Sequence, residues 1–282
     1  PTTMSASPED TVKALEGIKA VMDRPEPDGA IVLGAHMEAP FLAEAKAGAQ
    51  LKQYFADPNE ENWQRYTGGL ESIVRLITMA PERAGALDFI RELTKKGITV
   101  SIGHTTADAE TTHAAAEAGA THVTHTFNAQ TPLNHRAPGV PGAALVDDRL
   151  QCEVISDGIH LHPDIVKLII RTKGGEKLVA ITDAMKAAGM PDGQYQLGGQ
   201  DVFVHEGAAR LKDGTLAGST LTMVRAFQNL MRFGATPEEA ALMTTQTPAL
   251  SIGNEELGEI ELGAPAIFSR FDENYAFKGT VG

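Results

Sequence analysis

Apolar residues fall along this chain in short runs separated by amphipathic stretches, the alternation of a parallel β/α protein. Residues 98–103 (ITVSIG) form a β-branched run that ends on His104 and a small polar pair, Thr105 and Thr106. Residues 107–118 are alanine-rich with no interior Gly or Pro, and Gly119 stands in the C-cap position, so the pattern predicts a helix. A second short strand, 121–124, ends on His125. In a parallel βαβ unit both strands point the same way, so His104 and His125 emerge at one edge of the sheet. That edge is where open-sheet and barrel enzymes place their chemistry.

The same pattern recurs. The run 30–35 (AIVLGA) delivers His36 and Glu38, 152–155 (CEVI) delivers Asp157 and His160, and 178–182 (LVAIT) delivers Asp183. A further strand, 72–79, precedes an amphipathic helix over 84–96 whose last turn is basic and which Gly97 stops. Helices are also predicted from the Ser7-Pro8-Glu9-Asp10 cap to Met22, as a short surface helix at 55–65, from Pro163 to Thr172, and over 221–232 and 237–244. Residues 25–29, 42–50 and the Pro/Gly-rich 134–142 read as loops. A β-hairpin excursion with DG and GG turns is expected at about 190–215, and brief β segments (EIEL, AIFSRF) follow from Glu259.

At 282 residues the chain suits a single α/β barrel, which typically needs about 250. A net charge of −13 leaves no basic stripe to displace counterions, which argues against a nucleic-acid partner. Cys152 is the only cysteine, so neither an intrachain disulfide nor a cysteine-based metal site is available, and a reducing, cytoplasmic setting fits. No run of about 18 apolar residues and no signal-peptide pattern is visible, so no membrane partner is expected. The opening PTTMSASPED, without an initiator Met, reads as a start partway through a larger protein.

Glu38, His104 and His125 offer one carboxylate and two imidazoles, a set that leaves an open position for water on a divalent metal. Such a metal makes water acidic near neutral pH, and Asp183 is placed to act as general base and acid. The alternative for Asp183 is a helix N-cap, and for His36 packing or a hydrogen bond behind the site. Arg136 and His160 are the two cationic grips for an anionic substrate, although a loop Arg is often solvated surface. His113, His122, His135, His162 and His205 read as bystanders. The segment Leu216-Ala217-Gly218-Ser219-Thr220 either lines a pocket or caps the next helix.

The blocks HMEAPF, VSIGHTTAD, VTHTFNAQTPLNHRAPG, SDGIHLHP, AITDAM and LAGSTLTM, in this order, resemble the N-acetylglucosamine-6-phosphate deacetylases of the amidohydrolase superfamily. The resemblance implies a (β/α)8 TIM-type barrel over 1–253, lacking its first strand, and the C-terminal part of a small β-sandwich domain over 254–282. It implies metal-dependent hydrolysis of N-acetyl-D-glucosamine 6-phosphate to D-glucosamine 6-phosphate and acetate. Glu38, His104 and His125 match the ligands of one divalent metal, zinc first and iron, manganese or cobalt as alternatives. Asp183 matches the catalytic acid/base. Ala49, Gln50, Asn128, Ala129, Arg136, His160, Leu216, Ala217 and Gly218 match substrate-binding positions. A homodimer is implied, because the loop equivalent to that of Arg136 can reach the partner's site.

The departures are Ala39 where Gly is usual, Gln50 for His, Gln130 for Met and Ala137 for Glu. The Gln50 change removes a cation near the substrate. Family members begin with small-domain strands and a first barrel strand carrying an HxH or related pair, which in some binds a second metal. A barrel short of that strand would expose two sheet edges, so the segment alone is expected to fold poorly or be inactive. Two other readings compete: a superfamily relative acting on another N-acyl or cyclic amide substrate, and a truncated paralogue that binds sugar phosphate without turnover.

Overall fold

Strands that are apolar on both faces must be covered on both, and in Val74–Met79 only Arg75 is exposed. The computed structural model, which describes residues 1–26 and 29–282, meets that demand with helices packed on a parallel sheet. Seven strands lie side by side in chain order: β1 (Thr2–Thr3), β2 (Ala35–Met37), β3 (Val74–Met79), β4 (Thr99–Ile102), β5 (His122–Val123), β6 (Gln151–Ile155) and β7 (Leu178–Ile181). Between them run α1 (Pro8–Asp23), α2 (Glu60–Thr67), α3 (Ala86–Lys95), α4 (Ala109–Ala118), α5 (Gly139–Val146) and α6 (Pro163–Lys173). α3 buries one stripe, Ala86, Phe89, Ile90 and Leu93 at helical spacing, whereas the short α5 is buried almost all round. Phe89 meets Phe41 edge to face at 5.6 Å and Trp63 at 6.4 Å. This is the expected TIM-type β/α architecture, with β1 and β7 as the ends of the described sheet.

A four-stranded antiparallel sheet follows: β8 (Gly193–Leu197), β9 (Gln200–His205), β10 (Ala208–Leu211) and β11 (Leu216–Ser219). Its first three strands fall within the expected excursion at 190–215, and β11 extends it back to the barrel, where Ser219 bridges to Ala184. The chain ends with α7 (Met223–Arg232), α8 (Pro237–Thr244), α9 (Gln246–Ser251) and the hairpin β12 (Phe268–Phe271) and β13 (Phe277–Val281), which meets α7 where Phe271 lies 4.8 Å from Phe227. Among the described residues no helix is long and apolar enough to cross a membrane.

Several elements depart from the sequence reading. The apolar run 30–35 is unpaired until Ala35: Ile31 is exposed, and a Cβ at Gly34 would lie 2.6 Å from the Ile73 carbonyl. The ladder reaches only as far as its neighbours, and β1 pairs Thr2 and Thr3 with His36 and Met37. Of the loop expected at 25–29, residues 27 and 28 lie outside the described residues. The helix expected at 55–65 begins only after Asn59, whose side chain accepts from the Asn62 amide, and it buries Trp63, Tyr66 and Thr67 rather than riding on the surface. The loop expected at 134–142 ends early: α5 begins at Gly139, because Pro141 falls in the first turn, where its missing N–H breaks no helical bond. EIEL is not a strand; its side chains are solvent-exposed, and pairing begins at Phe268.

Asp147 ties three helices together. Its carboxylate accepts from Arg149 Nε at 2.9 Å and Nη2 at 2.6 Å, and pairs with His113 of α4 at 2.8 Å. The buried Lys173 of α6 donates to the Ala144 and Asp147 carbonyls at 2.9 and 2.8 Å, closing the C-terminus of α5. The Arg149 hydrogen bonds hold the Asp147 carboxyl well below the usual range, against its burial and with help from His113. A depressed folded-state pKa adds stability above the unfolded value, about 4, and loses it as pH falls further. Asp147→Asn is therefore expected to cost about 1–2 kcal/mol in denaturant unfolding at pH 7, since half-exposed Arg149 is screened. The gap from the unsubstituted protein should narrow below about pH 4, which parallel titrations at pH 7 and pH 3 would measure.

Candidate functional site

Four strand ends converge: β2 runs into Glu38, β4 into His104, β5 into His125 and β7 into Asp183. His104, His125 and Asp183 all have left-handed backbone, with φ of 46°, 31° and 49°. Such conformations cost about 1–3 kcal/mol each for residues with a side chain and persist only where neighbours hold them. The neighbours are visible. The Ala43 amide donates to the His104 carbonyl at 2.9 Å, and Thr105 donates to Ala129 at 3.1 Å. Glu82 accepts from the Thr105 hydroxyl and from the Thr106 amide and hydroxyl at 2.6 and 2.9 Å. Ser219 donates to the Asp183 carbonyl at 2.7 Å. Gly218 permits this approach, because a Cβ there would stand 3.0 Å from that carbonyl.

Glu38 Oε1, His104 Nε2 and His125 Nε2 form a triangle with every side 3.1 Å. His104 Nδ1 donates to the Lys46 carbonyl at 2.7 Å, which leaves its Nε2 as a lone pair in the neutral ring. Three electron-rich atoms facing one point require something positive between them. Ligands about 2.0–2.1 Å from a tetrahedral metal stand about 3.3 Å apart, so the donor set fits a divalent cation. Gln50 supports it from behind. Its Nε2 donates to Glu38 Oε2 at 2.7 Å, while its Oε1 accepts from the Ser5 amide at 2.7 Å.

Burial pushes the Glu38 carboxyl up, yet the hydrogen bonds and charges of His104 and His125 outweigh it and hold Glu38 well below the usual carboxylate range. Burial lowers His125, but Glu38 overrides it and raises the ring to about 9. Asp183 is pushed up to about 6 by burial and then by the Glu38 charge. His36 stands behind this group, bonded to Thr78 Oγ1 at 2.8 Å, with burial lowering it to about 4; it is not part of the triangle.

These groups open onto a cavity of about 430 Å³. Ala49, Gln50, Asn128, Ala129, His160, Leu216 and Gly218 line it together with the triangle and Asp183. His160 is oriented by Asp157, whose Oδ2 lies 2.7 Å from its Nδ1. Two expected residues stand elsewhere. Ala217 is buried on the opposite face of β11, against Val202 and Val204, because side chains alternate along a strand. Arg136 is exposed on its loop and does not line the cavity of its own chain. Gln130 and Ala39 are buried away from it; Gln130 staples the loop after His125 by bonding Thr124 and Phe127. The sequence reading missed Lys46, Met185 and Leu197, which also line the cavity. No local period marks them, since Lys46 and Met185 come from two separate loops and Leu197 from the small sheet. His113, His122, His135, His162 and His205 all lie outside the cavity.

The amidohydrolase family model matches residues 2–279. The chain is 41% identical over 243 residues to N-acetylglucosamine-6-phosphate deacetylase of Bacillus subtilis (strain 168), covering 84% of this chain and 61% of that protein. It is 38% identical over 268 residues to N-acetylgalactosamine-6-phosphate deacetylase of Escherichia coli O157:H7, covering 94% and 71%. Among solved structures, a mutant N-acetyl-D-glucosamine-6-phosphate deacetylase from Mycobacterium smegmatis in complex with N-acetyl-D-glucosamine-6-phosphate superposes with a TM-score of 0.91 at 35% identity. That match covers 99% of this chain and 74% of the other.

Partners behind a metal ligand typically contribute about 10- to 100-fold in metal affinity. Gln50→Ala should therefore weaken binding of a divalent metal by about that factor, read by competition with a chelating dye. Unchanged affinity would show that Glu38 needs no support from Gln50.

Proposed function

The chain belongs to the amidohydrolase family, and we propose that it hydrolyses N-acetyl-D-glucosamine 6-phosphate to D-glucosamine 6-phosphate and acetate. The observation that carries this reading is the convergence of the Glu38–His104–His125 triangle and Asp183 on one cavity, in a chain similar to deacetylases of this name. Glu38, His104 and His125 would hold the divalent cation, with zinc our first assignment among metals that this mixed set suits. A cation there supplies Lewis acidity, which makes a water molecule acidic near neutral pH.

Asp183 takes the proton as the water oxygen bonds to the acetyl carbon. The C–N bond then breaks, and Asp183 returns the proton to the departing amine nitrogen, so amide plus water yields amine plus acetate. A carboxylate beside the Glu38–His104–His125 set, lining the same cavity, is placed for both halves of that exchange. His160, with Nδ1 engaged by Asp157, keeps Nε2 for the sugar phosphate, and Asn128, Ala129, Leu216 and Gly218 shape its walls. Arg136, exposed on its loop, fits a role across a homodimer, at the site of a second copy. We place the reaction in the cytoplasm, where the unpaired, buried Cys152 stays reduced. We also assign 1–253 to the barrel and 254–282 to a small β domain, on the hairpin that meets the barrel at Phe227. N-acetylgalactosamine 6-phosphate, the epimer at C4, is the second substrate to test, given the Escherichia coli relative.

The test is acetate release from both phosphosugars and from unphosphorylated N-acetylglucosamine, with and without added divalent metal. Metal-dependent turnover of a 6-phosphate is expected, and Asp183→Asn should lower kcat by about 10²- to 10⁴-fold. Folded, metal-loaded protein that turns over neither phosphosugar would overturn the reading.

A further inference from the structure

We propose that Glu82 is a positioning residue of this site: from outside the cavity its carboxylate sets the turn that presents His104 and, through Thr105, the loop that follows His125. The inference rests on the reading that the Glu38–His104–His125 triangle holds a divalent cation. β3 lies between β2 and β4 in the sheet, yet among the described residues neither it nor the segment up to α3 lines the cavity. That segment, residues 80–83, acts sideways on the loops at either hand. Towards Glu38, the Ala80 amide donates to the Phe41 carbonyl and Arg83 Nη1 donates to the Leu42 carbonyl, both at 2.9 Å. Towards His104, Glu82 makes the contact.

Glu82 meets three donors with two oxygens. Its Oε2 accepts from the Thr105 hydroxyl, and its Oε1 accepts from the Thr106 amide at 2.6 Å and the Thr106 hydroxyl at 2.9 Å. The Thr105 hydroxyl accepts in turn from the Ala107 amide at 2.9 Å, so its single proton is left for Glu82. A side-chain amide here would offer one acceptor oxygen and turn its own N–H groups on the remaining donor, so the position calls for an acid. These bonds fall on the two residues after His104, whose φ of 46° persists only where neighbours hold it. Thr105 carries the constraint further, because its amide donates to the Ala129 carbonyl at 3.1 Å. Ala129 closes a loop in which His125, Phe127 and Ala129 have φ of 31°, 78° and 51°. One carboxylate outside the cavity thus bears on the turns after two of the three candidate ligands. Metal ligands must stand within about 0.2 Å of their preferred distances, so a slackened turn at His104 alters the metal site before it unfolds the domain.

The experiment uses the full chain loaded with Co²⁺, whose visible absorption reports the geometry of its ligands. Competition with a chelating dye gives the Co²⁺ dissociation constant, and the thermal midpoint of the metal-free protein is recorded beside it. The unsubstituted protein is compared with Glu82→Gln, Glu82→Asp and Thr106→Val. Glu82→Gln should raise the dissociation constant about 10-fold and change the Co²⁺ spectrum. Glu82→Asp, which keeps both acceptor oxygens, should retain most of the affinity. Thr106→Val, which removes one bond and no charge, should weaken binding about 3-fold. A lowered thermal midpoint in Glu82→Gln with unchanged Co²⁺ affinity and spectrum overturns the proposal, since a merely structural carboxylate would behave in that way. Equal affinities of Glu82→Gln and Glu82→Asp overturn it too. Should Glu82→Gln fail to fold, Thr106→Val decides, and unchanged affinity there overturns the proposal. Unsubstituted protein that binds no Co²⁺ overturns both this proposal and the metal-dependent reading, whereas the expected Co²⁺ effects without acetate release would sink the hydrolytic reading alone.

Discussion

Two imidazole nitrogens and a carboxylate oxygen stand 3.1 Å from one another at the sheet edge, and the surrounding structure is arranged to make that tolerable. Such atoms repel unless a positive centre lies among them. A proton shared on His125 satisfies the triangle in part, as its elevated basicity indicates, and a divalent cation satisfies all three donors together. The same demand accounts for the strained backbone. A strand that ran on in extended conformation past His104, His125 or Asp183 would carry the side chain away, so each turns through left-handed φ at that residue.

The loop after Glu38 supplies much of what holds this arrangement. Through Lys46 it fixes one face of His104, and through Gln50 it fixes the spare oxygen of Glu38. It is itself tied at two remote places, to Ser5 through the Gln50 and Leu51 amide contacts and to the small sheet through Gln200, which donates to the Ala49 carbonyl at 2.8 Å. The small sheet is therefore part of the site and not an appendage, since Leu216 and Gly218 of β11 form one of its walls. Gln50, a departure from the resembled pattern, is a buried amide whose two ends are both satisfied, which gives the substitution a structural purpose of its own.

Charge has to be judged locally. A chain with a net charge of −13 repels anions at long range, yet that field is screened within about 8–10 Å at ordinary ionic strength. Inside the cavity the balance is set by a handful of groups, among them Glu38, Asp183 and His160. Burial and the neighbouring Glu38 charge, not overall composition, push the Asp183 carboxyl up.

What the sequence determined by itself is the part of the molecule governed by local rules. Apolar runs ending in His104, His125 and Asp183, with caps such as Gly119 between them, specify parallel strands whose polarity brings those ends to one edge. The candidate ligands and acid–base residue were legible for that reason, and the six ordered blocks made the family legible as well. Tertiary structure decided the rest. The run 30–35 has strand composition, but pairing is supplied by distant β1 and β3, and it starts only at Ala35. Composition argued for a loop over 134–142, whose last residues are in fact the first turn of α5, where a proline leaves the helix intact. Adjacent residues of β11 part company, Ala217 to the small core and Gly218 to the cavity, because a strand alternates its faces and only the packed sheet defines which face is which. Lys46 gains its place from contacts with His104 and Gln130, 58 and 84 residues away, and no window along the chain contains that information.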